Sequence, residues 1–191
     1  PNDYHSWWGF DNLPTVIKEN KEYSDFINNK DTGVVNFWQK LGIAGWRLDV
    51  ADEFPDEFLD RIRDSAKYYD KDALIIGEVW EDATNKISYN TRRRYFLADQ
   101  LDSVMNYPWK NAIINFVKNK NADDFTLEIL KLVENYPRPA LDAVMNLLGS
   151  HDTERVLTML AFDNPEDVPV NERPTYKMSK EQYDKAKEKG L

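Results

Sequence analysis

Several short apolar runs along the chain stop abruptly on a charged or polar residue. Gly45-Trp46-Arg47-Leu48 runs into Asp49 and continues through Val50-Ala51-Asp52-Glu53, and Leu74-Ile75-Ile76-Gly77 runs into Glu78-Val79-Trp80. Leu101-Asp102-Ser103-Val104-Met105-Asn106 has the same form and ends on the aromatic Tyr107. A fourth, Ala143-Val144-Met145-Asn146-Leu147-Leu148, leads through Gly149-Ser150-His151 to Asp152. Short apolar runs bounded by polar residues read as buried strands. Unpaired carboxylates are rarely buried, so an acid directly after such a run sits where the strand emerges. Asp49, Glu78 and Asp152, each at the end of its own strand, point to one shared mouth.

Between these runs the period changes to that of helices. Phe26, Ile27, Val34, Val35, Trp38 and Leu41 recur at helical spacing from Tyr23 to Leu41, with Gly42 as a stop and Gly33 as an internal break. Pro55 suits a first helical turn, followed by a stripe of Phe58, Leu59, Ile62 and Ala66 that, with Phe54, is expected to face a sheet. Trp109 to Val117 and Phe125 to Val133 read as two further helices, with Asn121 to Asp124 as the break between them. Pro137-Arg138-Pro139 is expected to end the second before the Ala143 strand, and Ser179 to Lys189 to start an exposed helix. Residues 1–20 read as a loop in which Trp7, Trp8 and Phe10 either offer ring faces to a ligand or pack together locally. Strands alternating with helices over short connections give parallel βαβ units, a pattern shared by open sheets and barrels.

Chain-wide properties narrow the function. A net charge of −9 argues against nucleic acid, whose phosphates require a basic face. Arg92-Arg93-Arg94, in the polar segment Thr84 to Gln100, is therefore read as a solvated face paired with nearby acids. No apolar run is long enough to span a membrane. The absence of cysteine excludes disulfides and thiolate metal sites and fits either redox compartment, so no localisation is assigned. No strand is followed by a glycine-rich phosphate loop, which removes the usual nucleotide readings.

Gly45 to Glu53, Gly77 to Trp80 and Leu148 to Arg155 resemble, in wording, order and spacing, three signature regions of the α-amylase family, glycoside hydrolase family 13. Trp-Trp-Gly-Phe at 7–10 and Asp-Ser-Val-Met-Asn-Tyr at 102–107 are most similar to its neopullulanase and cyclomaltodextrinase branch. Asp52 and Glu53 stand where many amylases carry Lys-His, which favours the same branch. The resemblance covers roughly residues 4–160 and selects the barrel: an α/β chain forming part of a (β/α)8 TIM barrel, strands 4 to 7 with their helices. A complete barrel of this kind needs roughly 250 residues, so the chain is expected to be one incomplete catalytic domain. Its parts are a substrate-side loop at 1–22, strands 4 to 7 with helices at 23–162, and a polar segment at 163–191 leading toward strand 8.

The resemblance implies a retaining glycosidase that cleaves α-glucosidic bonds of maltooligosaccharides, cyclodextrins, starch or pullulan by double displacement. Asp49 would be the nucleophile, Glu78 the general acid/base, and Asp152 the carboxylate that stabilises the transition state. Such a nucleophile and acid/base lie roughly 5 to 5.5 Å apart. Arg47, two residues before Asp49 on a strand, shares its face and can hold the carboxylate by charge-assisted hydrogen bonds. Glu78 has to be kept protonated, which crowding by Asp49 and Asp152 favours. His151 matches a histidine that bonds sugar hydroxyls, and Trp80 and Tyr107 are placed to line a subsite. Leu13-Pro14-Thr15-Val16 resembles a further family region without its usual charged residue, and no role is carried onto it.

The strand 3 region, which brings a second histidine and often a calcium-binding asparagine, has no counterpart here. No metal or other cofactor is therefore assigned to this chain; calcium would belong to the full-length parent. The expected partner is an α-glucan or maltooligosaccharide, with no nucleic acid or membrane. An alternative is that the isolated segment is inactive and serves as a carbohydrate-binding or self-associating piece, because open strand edges invite pairing with another chain.

Overall fold

The computed structural model describes residues 4–97, 100–162, 168–169, 172 and 175–190. They fall into two compact units, Pro1–Gly77 with Ser88–Asp102, and Glu78–Ile87 with Ser103–Leu191. Parts of the anticipated N-terminal loop, of the Thr84–Gln100 segment and of the 163–191 segment lie outside the described residues.

In the first unit, α1 (Lys21–Asn28) starts where the Asn20 side chain accepts the Tyr23 amide, satisfying one of the orphan donors of a helix start. The break anticipated at Gly33 is real. α2 (Val34–Lys40) begins there, and a Cβ on Gly33 would lie 2.5 Å from the Asn29 nitrogen, so only glycine lets the two helices follow so tightly. β1 (Gly45–Leu48) leads through α3 (Asp56–Tyr69) to β2 (Leu74–Gly77). The strands pair in parallel, Gly45 with Leu74 through Leu48 with Gly77, which makes β1–α3–β2 the βαβ unit read from the alternation of periods. Phe58, Leu59, Ile62 and Ala66 are buried along one side of α3. That helix packs on α1 and α2, where the Tyr23 ring stacks on Phe58 at 6.0 Å. β3 (Ile87–Ser88) and β4 (Thr91–Arg92) form a small hairpin.

The arginine run is only partly the solvated face that its charge suggests. Arg93 is buried, donating to the Phe54 carbonyl at 2.5 Å and lying 3.3 Å from Asp56. Arg94 pairs with Asp56 and Asp60. Both arginines find acids, as anticipated, but Arg93 does so away from water.

In the second unit, β5 (Ser103–Val104) precedes α4 (Tyr107–Asn119), with Asn106 capping the helix through the Trp109 amide. α5 (Ala122–Asn135) is capped by Asn121, whose side chain accepts from Asp123 and Asp124. Phe116 and Phe125 join α4 and α5 at 5.0 Å. α7 (Val156–Ala161) and α8 (Lys180–Gly190) pack with α4 around Ile114, Leu160, Ala161 and Ala186. Among the described residues no helix is long and apolar enough to cross a membrane.

The strand anticipated over Ala143–Asp152 is reduced to a single parallel bridge, Met105 with Met145. The prolines do not merely stop α5. Pro137 and Pro139 open a further helix, α6 (Arg138–Ala143), which consumes the start of the expected strand. Met145 donates to Val104 and accepts from Asn106 at 3.0 and 2.9 Å. Beyond it, Asn146 is held by the Asn106 side chain, and Ser150 turns onto the Thr153 hydroxyl. A ladder lasts only while backbone meets backbone, and here side chains take over. Architecture and order are thus α/β with a parallel pair, as the alternation required.

Candidate active site

Asp49 leaves the end of β1 with its carboxylate largely in water, 76% exposed, and the Arg47 guanidinium paired to it. The i, i+2 relationship places both on one side of the extended chain, as anticipated. Val50 follows in the left-handed region, φ 40, an unfavourable place for a β-branched residue. That kink turns the chain into the short helix Ala51–Glu53 and presents Asp52 and Glu53 side by side.

Their partners come from distant sequence in the same unit. The Tyr89 hydroxyl lies 2.7 Å from both oxygens of Glu53, and the Trp8 indole nitrogen donates to Oε1 at 3.4 Å. The Glu53 carboxylate pushes the Tyr89 hydroxyl up to about 12, so Tyr89 stays a donor. The Tyr95 hydroxyl bonds Asp52, and burial, reinforced by that carboxylate, raises it further still. Trp7 stacks between Trp8, at 4.8 Å, and Phe10, at 6.1 Å. The aromatic loop is therefore a local cluster, yet it leaves Trp8 72% exposed. A cavity of about 450 Å³ is lined by Trp7, Leu13, Pro14, Asp49, Val50 and Glu53. Another of about 530 Å³ has Trp8, Asp52, Glu53 and Tyr89 on its wall.

The second unit groups the remaining anticipated residues. Glu78 is buried, and the Trp80 indole donates to its Oε1 at 3.1 Å. Trp80 lies flat on Tyr107, with centroids 4.2 Å apart and planes 5° from parallel. Two residues anticipated separately as subsite walls thus cover one another, leaving Trp80 with an open face and Tyr107 buried. The Tyr107 hydroxyl reaches the Ser150 hydroxyl at 3.3 Å, and the Ser150 oxygen accepts from the Asp152 amide at 3.2 Å. His151 Nε2 stands 3.0 Å from Asp152 Oδ2. One chain of contacts therefore runs from Glu78 through Trp80, Tyr107 and Ser150 to Asp152.

Lys110, in the first turns of α4, is buried with its ammonium 6.0 Å from the Tyr107 ring. Burial holds it below the usual lysine range against the opposing pull of Glu154. Nothing in the sequence pattern marked Lys110, Tyr89 or Tyr95. The nearest signal was the change from apolar to polar residues after Trp80. Among the described residues no group of three or more His, Asp or Glu side chains is placed to hold a metal ion.

A sheltered acid beside an aromatic ring face is an arrangement that glycosidic chemistry uses. The family model of the α-amylase catalytic domain matches residues 2–178. The chain belongs to the α-amylase family.

Members of that family similar to it include an amylopullulanase of Thermoanaerobacter thermohydrosulfuricus, 32% identical over 188 residues, covering 86% of this chain and 12% of that protein. Neopullulanase 2 of Thermoactinomyces vulgaris is 38% identical over 148 residues, covering 76% of this chain and 23% of the relative. Among solved structures, a cyclomaltodextrinase superposes with a TM-score of 0.68 at 33% identity over 82% of this chain and 25% of its own. The α-amylase-family chain described here therefore spans a quarter or less of the length of these relatives, and the likeness to them makes it part of a TIM-barrel catalytic domain.

Proposed function

We propose that the protein carrying this chain is a retaining glycosidase that hydrolyses α-glucosidic bonds in maltooligosaccharides, cyclodextrins, starch or pullulan. The observation that carries this reading is Glu78: a buried carboxyl at the end of a strand, hydrogen-bonded by Trp80 against a flat aromatic pair. A general acid needs a sheltered carboxyl beside a surface on which the apolar face of a sugar can lie. In the double displacement, the Asp49 carboxylate attacks the anomeric carbon as Glu78 protonates the departing oxygen. Glu78 then deprotonates the water that releases the glycosyl group. Arg47, paired to the Asp49 carboxylate, aims it, and Asp152, with His151, accepts sugar hydroxyls as charge develops at the ring.

In this reading β1, β2, β5 and the Met145 bridge correspond to barrel strands 4 to 7, residues 1–22 to a substrate-side loop, and 163–191 to the approach to strand 8. The decisive experiment is Glu78→Gln in the full-length protein, assayed on maltotriose, pullulan and β-cyclodextrin. Turnover should disappear while the variant folds; normal turnover would sink the proposal.

A second reading concerns the isolated segment. In its unit, β1 pairs with β2 on one side, and an open strand edge is a template for another chain. The segment alone would then be inactive and would self-associate through that edge. A well-folded monomer in light scattering would contradict it.

A further inference from the structure

Tyr89 occupies a backbone conformation that a bulky residue normally avoids. It and Asn90 form the hairpin turn between β3 and β4 with φ 51 and 61. Such two-residue turns favour Asn-Gly or Asp-Gly, in which glycine avoids the cost of a left-handed Cβ. A tyrosine there is strained, and such strain persists where the surroundings over-determine it.

What the strain achieves is visible at the other end of the side chain. Although Tyr89 is 70% exposed, its hydroxyl meets both oxygens of the Glu53 carboxylate, 36 residues away. Ser88, one residue earlier, fixes the hairpin's base by donating to the Asp52 carbonyl at 3.1 Å. Glu53 borders two cavities in its unit, one shared with Asp49 and one with Trp8. A carboxylate next to exposed indole is the combination that binds a saccharide, the acid accepting hydroxyls while the ring takes the apolar face. A glutamate side chain free to rotate would lose part of that binding to rotamer entropy.

We propose that Tyr89 is a positioning residue that holds Glu53 in the rotamer able to accept a saccharide hydroxyl in the cavity beside Asp49. The proposal rests on the glycosidase reading of this chain. Tyr89 acts through Glu53 and leaves the bond-making groups untouched, so its effect falls on saccharide binding and not on the chemical step.

The test uses the full-length protein with Tyr89→Phe, Glu53→Gln and the double variant, measuring KM and kcat on maltotriose. Tyr89→Phe, which removes one hydroxyl from an exposed side chain, should raise KM about fivefold, the size of one hydrogen bond, and leave kcat within about twofold. Because the effect passes through Glu53, the double variant should be no weaker than Glu53→Gln alone. An unchanged KM, a loss confined to kcat, or additive effects in the double variant would overturn the positioning role. Those results leave wild-type turnover intact and so differ from failure of the glycosidase reading, in which the wild type itself hydrolyses none of the substrates and both conclusions fall together.

Discussion

Asp102 and Ile75 hold each other through two hydrogen bonds: the Asp102 amide donates to the Ile75 carbonyl at 3.0 Å, and the Asp102 carboxylate accepts the Ile75 amide at 2.9 Å. The same carboxylate takes Arg63 and Lys67 from α3, both at 2.8 Å. One aspartate therefore ties the middle of β2 to the helix that precedes it.

That tie sets a pH dependence. Burial alone would raise the Asp102 carboxyl, but Lys67, Arg63 and the Ile75 amide outweigh it and hold it below its usual 3.8. A lowered folded value means that the stabilisation is complete above the ordinary value and is lost as pH falls below it toward the folded one. Asp102→Asn should cost about 2–4 kcal/mol near neutrality, since it leaves two cations of α3 without their charge partner. Chemical denaturation at pH 7 and pH 3 checks this. The gap between wild type and variant should narrow at the lower pH.

Two glycines flank the paired strands, and they should respond differently to alanine. A Cβ at Gly45 would lie 2.0 Å from the Leu74 carbonyl oxygen, which is backbone and cannot move without breaking the β1–β2 pairing. A Cβ at Gly77 would meet the Leu101 Cδ1 at 2.5 Å and Ala51 at 3.2 Å. A leucine end can rotate aside. Gly77→Ala should cost about 1–3 kcal/mol, as overpacking usually does, whereas Gly45→Ala should cost more than that and remove the strand. Urea unfolding ranks the two.

Tyr107 joins packing to the acid. Tyr107→Ala removes the buried ring under Trp80 and should cost about 3–5 kcal/mol, as large aromatic truncations do. It should also lower turnover, because Trp80 would lose the support that holds its indole against Glu78. Tyr107→Phe keeps the stack and loses only the bond to Ser150. It should therefore stay within about 1.5 kcal/mol of wild type. Thermal unfolding alongside kcat for the two variants separates the effects.

These contrasts show what the sequence could and could not disclose. Period and punctuation located α1 to α5, the break at Gly33 and the β1–α3–β2 unit, because those features are written in neighbouring residues. The Arg47–Asp49 pair was legible for the same reason: two positions along a strand is a fixed geometry. Motif wording pointed to Glu78, Trp80, Tyr107, His151 and Asp152. That Trp80 and Tyr107 cover one another follows from a fold that brings together residues far apart in the chain.

Ala143–Asp152 misled because an apolar run specifies burial, not a ladder. Whether such a run becomes a strand depends on which backbone it meets, and after Met145 it meets side chains. Asp102, Arg93 and Glu53 were unreadable as network members for a related reason. Their partners are 27 to 45 residues away, and charge alone does not say which acid a given cation will choose.

Val50, strained at φ 40 directly after Asp49, places this chain under two opposed selections. A laboratory population evolved only for heat tolerance would drift toward glycine or asparagine there, since either relieves the left-handed backbone. A population evolved for turnover would resist the same change, because the stiffness of a β-branched residue fixes where the next three residues point. Sequences recovered from the two regimes should part company at this position before they do so at the acids themselves.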